Sequence, residues 1–173
     1  MSTLKPILNE QTVDVWSVPL VGRLPIDTHE TVSVSEWERA NRFHYARDRH
    51  RYLLRRIALR RILSRYLDIP SADVDYVTGK YGKPRLSGLG KESRISFNTS
   101  SSQDLAVVAV ARFPLGVDVE VVRPFDNASD ITSREFTADE RGSLGDDPDL
   151  SGFFEIWTRK EALVKAVGKG LAI

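Results

Sequence analysis

The chain has 173 residues, 41% of them hydrophobic and 28% charged, with a net charge of +1 and no cysteine. That size and balance suit one domain or two small sub-domains with a filled core. They exclude disulfides, thiolate catalysis and zinc–thiolate sites, and they leave no overall field to attract nucleic acid or membrane, so any polyanion affinity must come from local clustering.

The opening Met1-Ser2-Thr3-Leu4-Lys5-Pro6 lacks the charged-then-apolar layout of a secretion signal. No apolar run approaches membrane-spanning length. A cytoplasmic protein is the expectation. Val13 to Val18 reads as a first strand, closed by Pro19. Ser35-Glu36-Trp37-Glu38 has the form of a capping box. From it a helical pattern runs to Leu67, with Leu59, Ile62, Leu63 and Tyr66 on one apolar stripe, and ends near Pro70.

Asp73 to Val77 predicts a strand, followed by a loop around Gly82. Arg94 to Asn98 alternates like an edge or half-buried strand, and the apolar run Leu105 to Ala111 suits a central one. Gly116 to Val122 predicts a further strand, ended by Pro124. Thr137-Ala138-Asp139-Glu140 is a second capping box opening a short helix. A Gly/Asp-rich loop from Gly142 to Gly152 then leads to a last helix, Phe153 to about Val167. No repeat or low-complexity tract interrupts this order, which implies an α+β fold rather than a doubly wound sheet.

Several segments hold residues suited to chemistry. In Gly116-Val117-Asp118-Val119-Glu120 the two acids share a strand face, about 6.5–7 Å apart along the backbone, while Val117, Val119 and Val121 take the buried face. Paired carboxylates suit magnesium, which takes a few acids plus substrate phosphates; the alternative is a solvated acidic face. Trp157, Glu161 and Lys165, four residues apart, share one face of the last helix. There Glu161 can complete a metal site or accept a hydroxyl proton, and Lys165 can neutralise a phosphate. Alternatively they form a surface pair contributing about 0.2–0.5 kcal/mol. Gly168-Lys169-Gly170 permits close approach of a ligand, or only a helix C-cap.

The long helix bears Arg47, Arg49, Arg51, Arg55, Arg56, Arg60, Arg61 and Arg65. Most are expected to be solubilising or to lay their stems along apolar surface; a few can clamp a phosphate. Tyr81-Gly82-Lys83-Pro84 holds a lysine on a stiff turn, and Phe97-Asn98-Thr99-Ser100-Ser101-Ser102 supplies hydroxyl and amide donors, or simply a polar turn. His29, His44 and His50 lack metal-ligand spacing. No Walker, dinucleotide or G-x-S-x-G pattern occurs.

Taken in order, Tyr81-Gly82-Lys83-Pro84, Phe97-Asn98-x-Ser100, Gly116-Val117-Asp118-Val119-Glu120 and Trp157-x-x-Lys160-Glu161-x-x-x-Lys165 resemble the phosphopantetheinyl transferases, over about Arg39 to Leu171. The resemblance is closer to the long, monomeric, surfactin-synthetase-activating type, which serves peptide and polyketide synthases. It implies two similar α/β sub-domains, 1–115 and 116–173, packed as a pseudo-dimer around coenzyme A. It further implies a holo-acyl-carrier-protein synthase type enzyme of secondary metabolism. Such an enzyme moves 4'-phosphopantetheine onto an acyl or peptidyl carrier protein, as a monomer without nucleic acid or membrane partners. Asp118, Glu120 and Glu161 would hold Mg2+. Glu161 would also help deprotonate the carrier serine, and Lys165 would stabilise the departing nucleotide. Arg51 and Arg39 would face the 3'-phosphate, Lys83 and Pro84 the adenine, and Ser100 the nucleotide.

The sequence departs from the family twice. Ser101 stands where the family has a histidine for the 3'-phosphate, and the strands that follow Gly168-Lys169-Gly170 in the family are missing from these 173 residues. The second sub-domain is therefore expected to be truncated. Two other readings remain: a relative that binds coenzyme A or a carrier protein without transfer, and a nucleic-acid module using the arginine helix, against which the +1 net charge argues.

Overall fold

A computed structural model describes residues 6–144 and 150–168. In chain order the elements are β1 (Asp14–Pro19), α1 (Thr28–Thr31), α2 (Val34–Asn41), α3 (Ala46–Leu67), β2 (Asp75–Thr78), β3 (Pro84–Ser87), β4 (Ser96–Ser102), β5 (Leu105–Ala111), α4 (Ala128–Glu135), α5 (Ala138–Leu144) and α6 (Leu150–Val167). This is an α+β arrangement: an antiparallel sheet in the order β1-β5-β4, a separate β2–β3 hairpin, and helices around them.

β5 is central, as its unbroken apolar run requires, because both of its faces are covered. Val108 and Val110 pack with Phe97 of β4 against Leu59, Ile62, Leu63 and Tyr66, the predicted stripe of α3. Ala109 and Ala111 face the other way, onto Phe113, Leu115 and Val117. A second core joins Phe136, Phe153 and Phe154, with Trp157 stacked on Phe153 at 6.1 Å.

Several expectations are corrected. The long helix is two helices, because the chain turns back at residues 42–45. The aromatic run Phe43-His44-Tyr45 is a poor helix former, and Phe43 packs instead on Tyr52 of α3, 5.3 Å away. The first capping box lies two residues earlier than expected: Ser33 accepts from the Glu36 amide at 3.3 Å, and the Glu36 carboxylate accepts from the Ser33 amide at 2.9 Å. α1, α4 and the short β3 carried no clear sequence signal. β4 continues through Ser102, where a polar turn was one option. The capping box at Thr137–Glu140 forms, with both bonds made. α6 begins at Leu150 rather than Phe153; residues 145–149 of the preceding loop lie outside the described residues, as do Lys169 and Gly170.

The predicted strand at Gly116–Val122 joins no ladder. It runs alongside β4 in the same direction and is held by side chains: the Val117 amide donates to Asn98 Oδ1 at 2.9 Å, and the Val121 amide to Ser102 Oγ at 3.2 Å. Val117, Val119 and Val121 are half-buried rather than fully buried, and Val122 is exposed. Gly116 explains the path. A Cβ there would lie 1.9 Å from the Ala162 carbonyl oxygen, so the backbone of α6 rests directly on this residue.

Candidate functional site

A cleft of about 830 Å³ opens where α2, α3, the β2–β3 hairpin, β4 and α6 meet. That is within the size range of small-molecule sites. Its helical wall carries Arg39, Tyr52, Arg55 and Arg56; the hairpin side carries Tyr81, Lys83 and Pro84; α6 contributes Glu161, Lys165 and Gly168.

The helical wall is held from beneath by Glu36. Its carboxylate accepts from Arg60 Nε at 2.8 Å and from the Tyr76 hydroxyl, and it lies 3.8 Å from Arg56 Nε. Burial pushes the Glu36 carboxyl up, but the bonds from Tyr76 and Ser33 and the Arg60 charge outweigh it and hold the group below its usual value. Arg60, expected among solubilising residues, is buried and also donates to the Val74 carbonyl at 2.8 Å. Fold-supporting partners likewise hold Arg61, 2.6 Å from Asp27, and Arg51, 2.6 Å from Asp104. Arg51 lies outside the cleft lining, whereas Arg39 is on it.

Strand alternation separates two adjacent serines. Ser100 faces the 116–122 segment and donates to Asp118 Oδ1 at 2.6 Å; Ser101 faces α3 and accepts from Arg55 Nη1 at 2.7 Å. Ser102, back on the first face, donates to Glu120 at 2.7 Å. Asp118 and Glu120 therefore share a face, as their spacing predicts.

Lys165 reaches across from α6 to Asp118 Oδ1 at 2.5 Å and lies 3.2 Å from Ser100 Oγ. Its ion pair is thus with Asp118, not with Glu161. The Asp118 side chain is 4% exposed, and its Oδ2 is buried with no hydrogen-bond partner. Glu161 is pushed above the usual carboxylate range, first by burial and then by Asp118, Glu120 and Glu135, against the opposing pull of Lys165. An orphaned buried carboxylate oxygen and a glutamate crowded by like charges suit a cation. Among the described residues no group of three or more His, Cys, Asp or Glu converges closely enough to hold a metal.

Lys83 lines the cleft with its stem, while its ammonium donates to the carbonyls of Leu115 at 3.0 Å and Ala166 at 2.7 Å. It caps the C-terminal end of α6, where a cation is favoured, and burial lowers its pKa. Gly168 closes that helix with φ +72°, its amide bonded to the Val164 carbonyl at 2.9 Å. Trp157, on the face with Glu161 and Lys165 by spacing, belongs to the phenylalanine core and not to the cleft. The histidines are dispersed: His29 stacks on Trp37 and His50 bonds the Gly22 carbonyl. The sequence reading missed Glu36, Tyr52 and Tyr76, and named Arg55 and Arg56 only within a series of eight arginines; helical spacing alone does not tell which of them meet a cleft.

Comparison with known proteins places these segments in two recognised regions. Residues 26–112 match the 4'-phosphopantetheinyl transferase N-terminal family, and residues 114–173 the 4'-phosphopantetheinyl transferase superfamily. The chain is 37% identical over 167 residues to the 4'-phosphopantetheinyl transferase HetI of Nostoc sp., covering 92% of this chain and 70% of HetI. It is 30% identical over 145 residues to Sfp of Bacillus subtilis, covering 82% of this chain and 62% of Sfp. With psf-1 of Bacillus pumilus it shares 34% identity over 144 residues, covering 82% of this chain and 60% of psf-1. The matched region thus spans roughly two thirds of each relative.

Proposed function

Since the chain belongs to the 4'-phosphopantetheinyl transferase superfamily, we propose that it transfers the 4'-phosphopantetheine arm of coenzyme A to a serine of an acyl or peptidyl carrier protein. It does so as a magnesium-dependent, monomeric, cytoplasmic enzyme of the holo-acyl-carrier-protein synthase type. Its halves, 1–115 and 116–173, would pair as a pseudo-dimer, although the described residues of the second carry helices α4–α6 and no strand ladder. The observation that carries this reading is the cleft itself, lined by the guanidinium groups of α2 and α3 and by Glu161 and Lys165 of α6, with Lys165 on the buried Asp118.

The chemistry is a displacement at phosphorus. The carrier hydroxyl forms a new oxygen–phosphorus bond as the bond to the departing adenosine 3',5'-bisphosphate breaks, and the hydroxyl proton passes to Glu161. Glu161 lines the cleft together with Lys165, the position such a base needs. Lys165 has its ammonium on Asp118 and is 30% exposed, so a cation taking its place on that carboxylate would release it towards the leaving phosphate. Asp118, Glu120 and Glu161 would have to draw closer together to hold Mg2+, which when bound would neutralise charge on the pyrophosphate. Lys83 and Pro84 would line the adenine and Ser100 would contact the nucleotide, with Arg39 at the 3'-phosphate; Arg51, outside the cleft lining and paired with Asp104, is the weaker candidate there.

The test incubates the protein with coenzyme A, Mg2+ and an apo carrier protein, and reads the carrier's mass. Wild type adds one phosphopantetheine; Glu161→Gln and Lys165→Ala each slow this by orders of magnitude. Near-normal turnover in both variants refutes the assigned roles. A second reading, binding without transfer, draws on the absence of a converged group of three carboxylates among the described residues. Calorimetric coenzyme A binding with no mass gain on any carrier tested would favour it.

A further inference from the structure

The helical wall of the cleft holds more positive charge than the fold neutralises. Arg39, Arg55 and Arg56 surround the ring of Tyr52, with guanidinium carbons 5.7, 5.8 and 5.0 Å from its centroid. The arginines of α3 that serve the fold have evident partners: Glu36 and the Val74 carbonyl for Arg60, Asp27 for Arg61, Asp104 for Arg51. Among the described residues no carboxylate pairs with Arg39 or Arg55. Arg56 keeps a buried Nε with no hydrogen-bond partner, 3.8 Å from Glu36.

Arg55 is the most telling of the three. Among the described residues its one hydrogen bond, from Nη1 to the Ser101 hydroxyl at 2.7 Å, fixes the guanidinium at the cleft wall and leaves its other nitrogens to a ligand. Burial, then Arg56, then Arg39 push its pKa down, the signature of like charges gathered without a counter-ion. A dianionic phosphate monoester would remove that repulsion and accept paired N–H bonds from planar guanidinium groups. The part of the lining that α6 contributes, Glu161 and Lys165, is the one assigned to the reacting phosphates. The arginines that α2 and α3 contribute therefore remain for another phosphate of the same ligand.

Resting on the coenzyme A reading above, we propose that Arg55, oriented by Ser101 and supported by Arg39, is the residue of this chain that recognises the 3'-phosphate of coenzyme A. The charge a histidine at position 101 would bring from the strand comes here from the helix instead. Ser101 is then a positioning residue rather than a weakened ligand, and Arg51 has a lesser part.

Calorimetric titration of coenzyme A and of dephospho-coenzyme A, which lacks the 3'-phosphate, into wild type, Arg55→Gln, Arg55→Lys and Arg51→Ala tests this. Arg55→Gln is expected to weaken coenzyme A binding about 10- to 100-fold, as loss of a charge-assisted contact does, and to change dephospho-coenzyme A by less than about threefold. Arg55→Lys should recover part of the loss, and Arg51→Ala should lose less than Arg55→Gln. Retained dephospho-coenzyme A binding shows that the variant is folded. Coenzyme A affinity unchanged in Arg55→Gln, equal losses for both nucleotides, or a larger loss in Arg51→Ala each overturns the assignment. If wild type binds neither nucleotide, the coenzyme A reading itself fails.

Discussion

Replacing Asp118 by asparagine separates stability from chemistry at one atom. Asp118 Oδ1 holds both the Lys165 ammonium and the Ser100 hydroxyl, at 2.5 and 2.6 Å. Breaking one side of a fully buried ion pair costs about 3–5 kcal/mol. Here Lys165 is 30% exposed and can turn into the cleft, so the loss is nearer that of a charged hydrogen bond, about 1.5–3 kcal/mol. Asparagine keeps the shape and one acceptor, and it exchanges the unpartnered Oδ2 for an unpartnered amide, so those two terms offset each other. The expected net cost is about 1–2 kcal/mol, a fall in Tm of about 2–8 °C for a chain of this length. If Asp118 helps hold Mg2+, transfer should fall far more than stability, by about 100- to 1,000-fold, corresponding to about 3–4 kcal/mol of lost transition-state stabilisation. Added Mg2+ should raise the Tm of wild type but not of Asp118→Asn. Carrier-protein mass and thermal melting, each with Mg2+ or with EDTA, measure these effects. Transfer by the variant within twofold of wild type, or undiminished wild-type transfer in EDTA, refutes the reasoning.

Three further outcomes are expected. Gly116→Ala puts a Cβ 1.9 Å from the Ala162 carbonyl oxygen and 2.5 Å from the Ala166 amide nitrogen. It should destabilise by about 1–3 kcal/mol or more as α6 is displaced, and an unchanged urea midpoint would contradict that close contact. The folded-state pKa of Glu36 lies below its ordinary value, so its contribution to stability is present above about pH 5 and is lost as pH falls through the folded value. Wild-type stability should therefore drop more steeply than that of Glu36→Gln between about pH 5 and pH 3; parallel curves would show that the carboxylate is not stabilised by its partners. Lys83→Met keeps the stem but removes the ammonium from the Leu115 and Ala166 carbonyls, at an expected cost of about 1–3 kcal/mol. Amide exchange should quicken selectively in the last turn of α6, and uniform exchange across the chain would argue against a local clamp.

Local rules alone determined a good part of this protein. The unbroken apolar run of β5, the α3 stripe from Leu59 to Tyr66 and the capping box at Thr137–Glu140 each depend on residues within a few positions, where period and side-chain reach are fixed. The same is true of the shared face of Asp118 and Glu120. The order of the motifs also sufficed to indicate the family, because their spacing along the chain does not depend on which surfaces touch.

Tertiary structure decided the partners. Helical periodicity put eight arginines on one element, but only the distant positions of Glu36, Asp27, Asp104 and Ser101 sorted them into Arg60, Arg61 and Arg51, which brace the fold, and Arg55, which faces the cleft. Glu161 and Lys165 are ideally spaced to pair, yet Lys165 bonds Asp118, because α6 lies directly on Gly116 and brings the Asp118 carboxylate within reach. A local i,i+4 pair contributes only a few tenths of a kcal/mol, whereas a buried carboxylate without a counter-charge costs several, so the long-range contact prevails. For the same reason Gly116–Val122 has a strand's alternation without a strand's ladder. Spacing assigned its residues to faces; the close approach of α6 and the side chains of Asn98 and Ser102 determined what those faces meet.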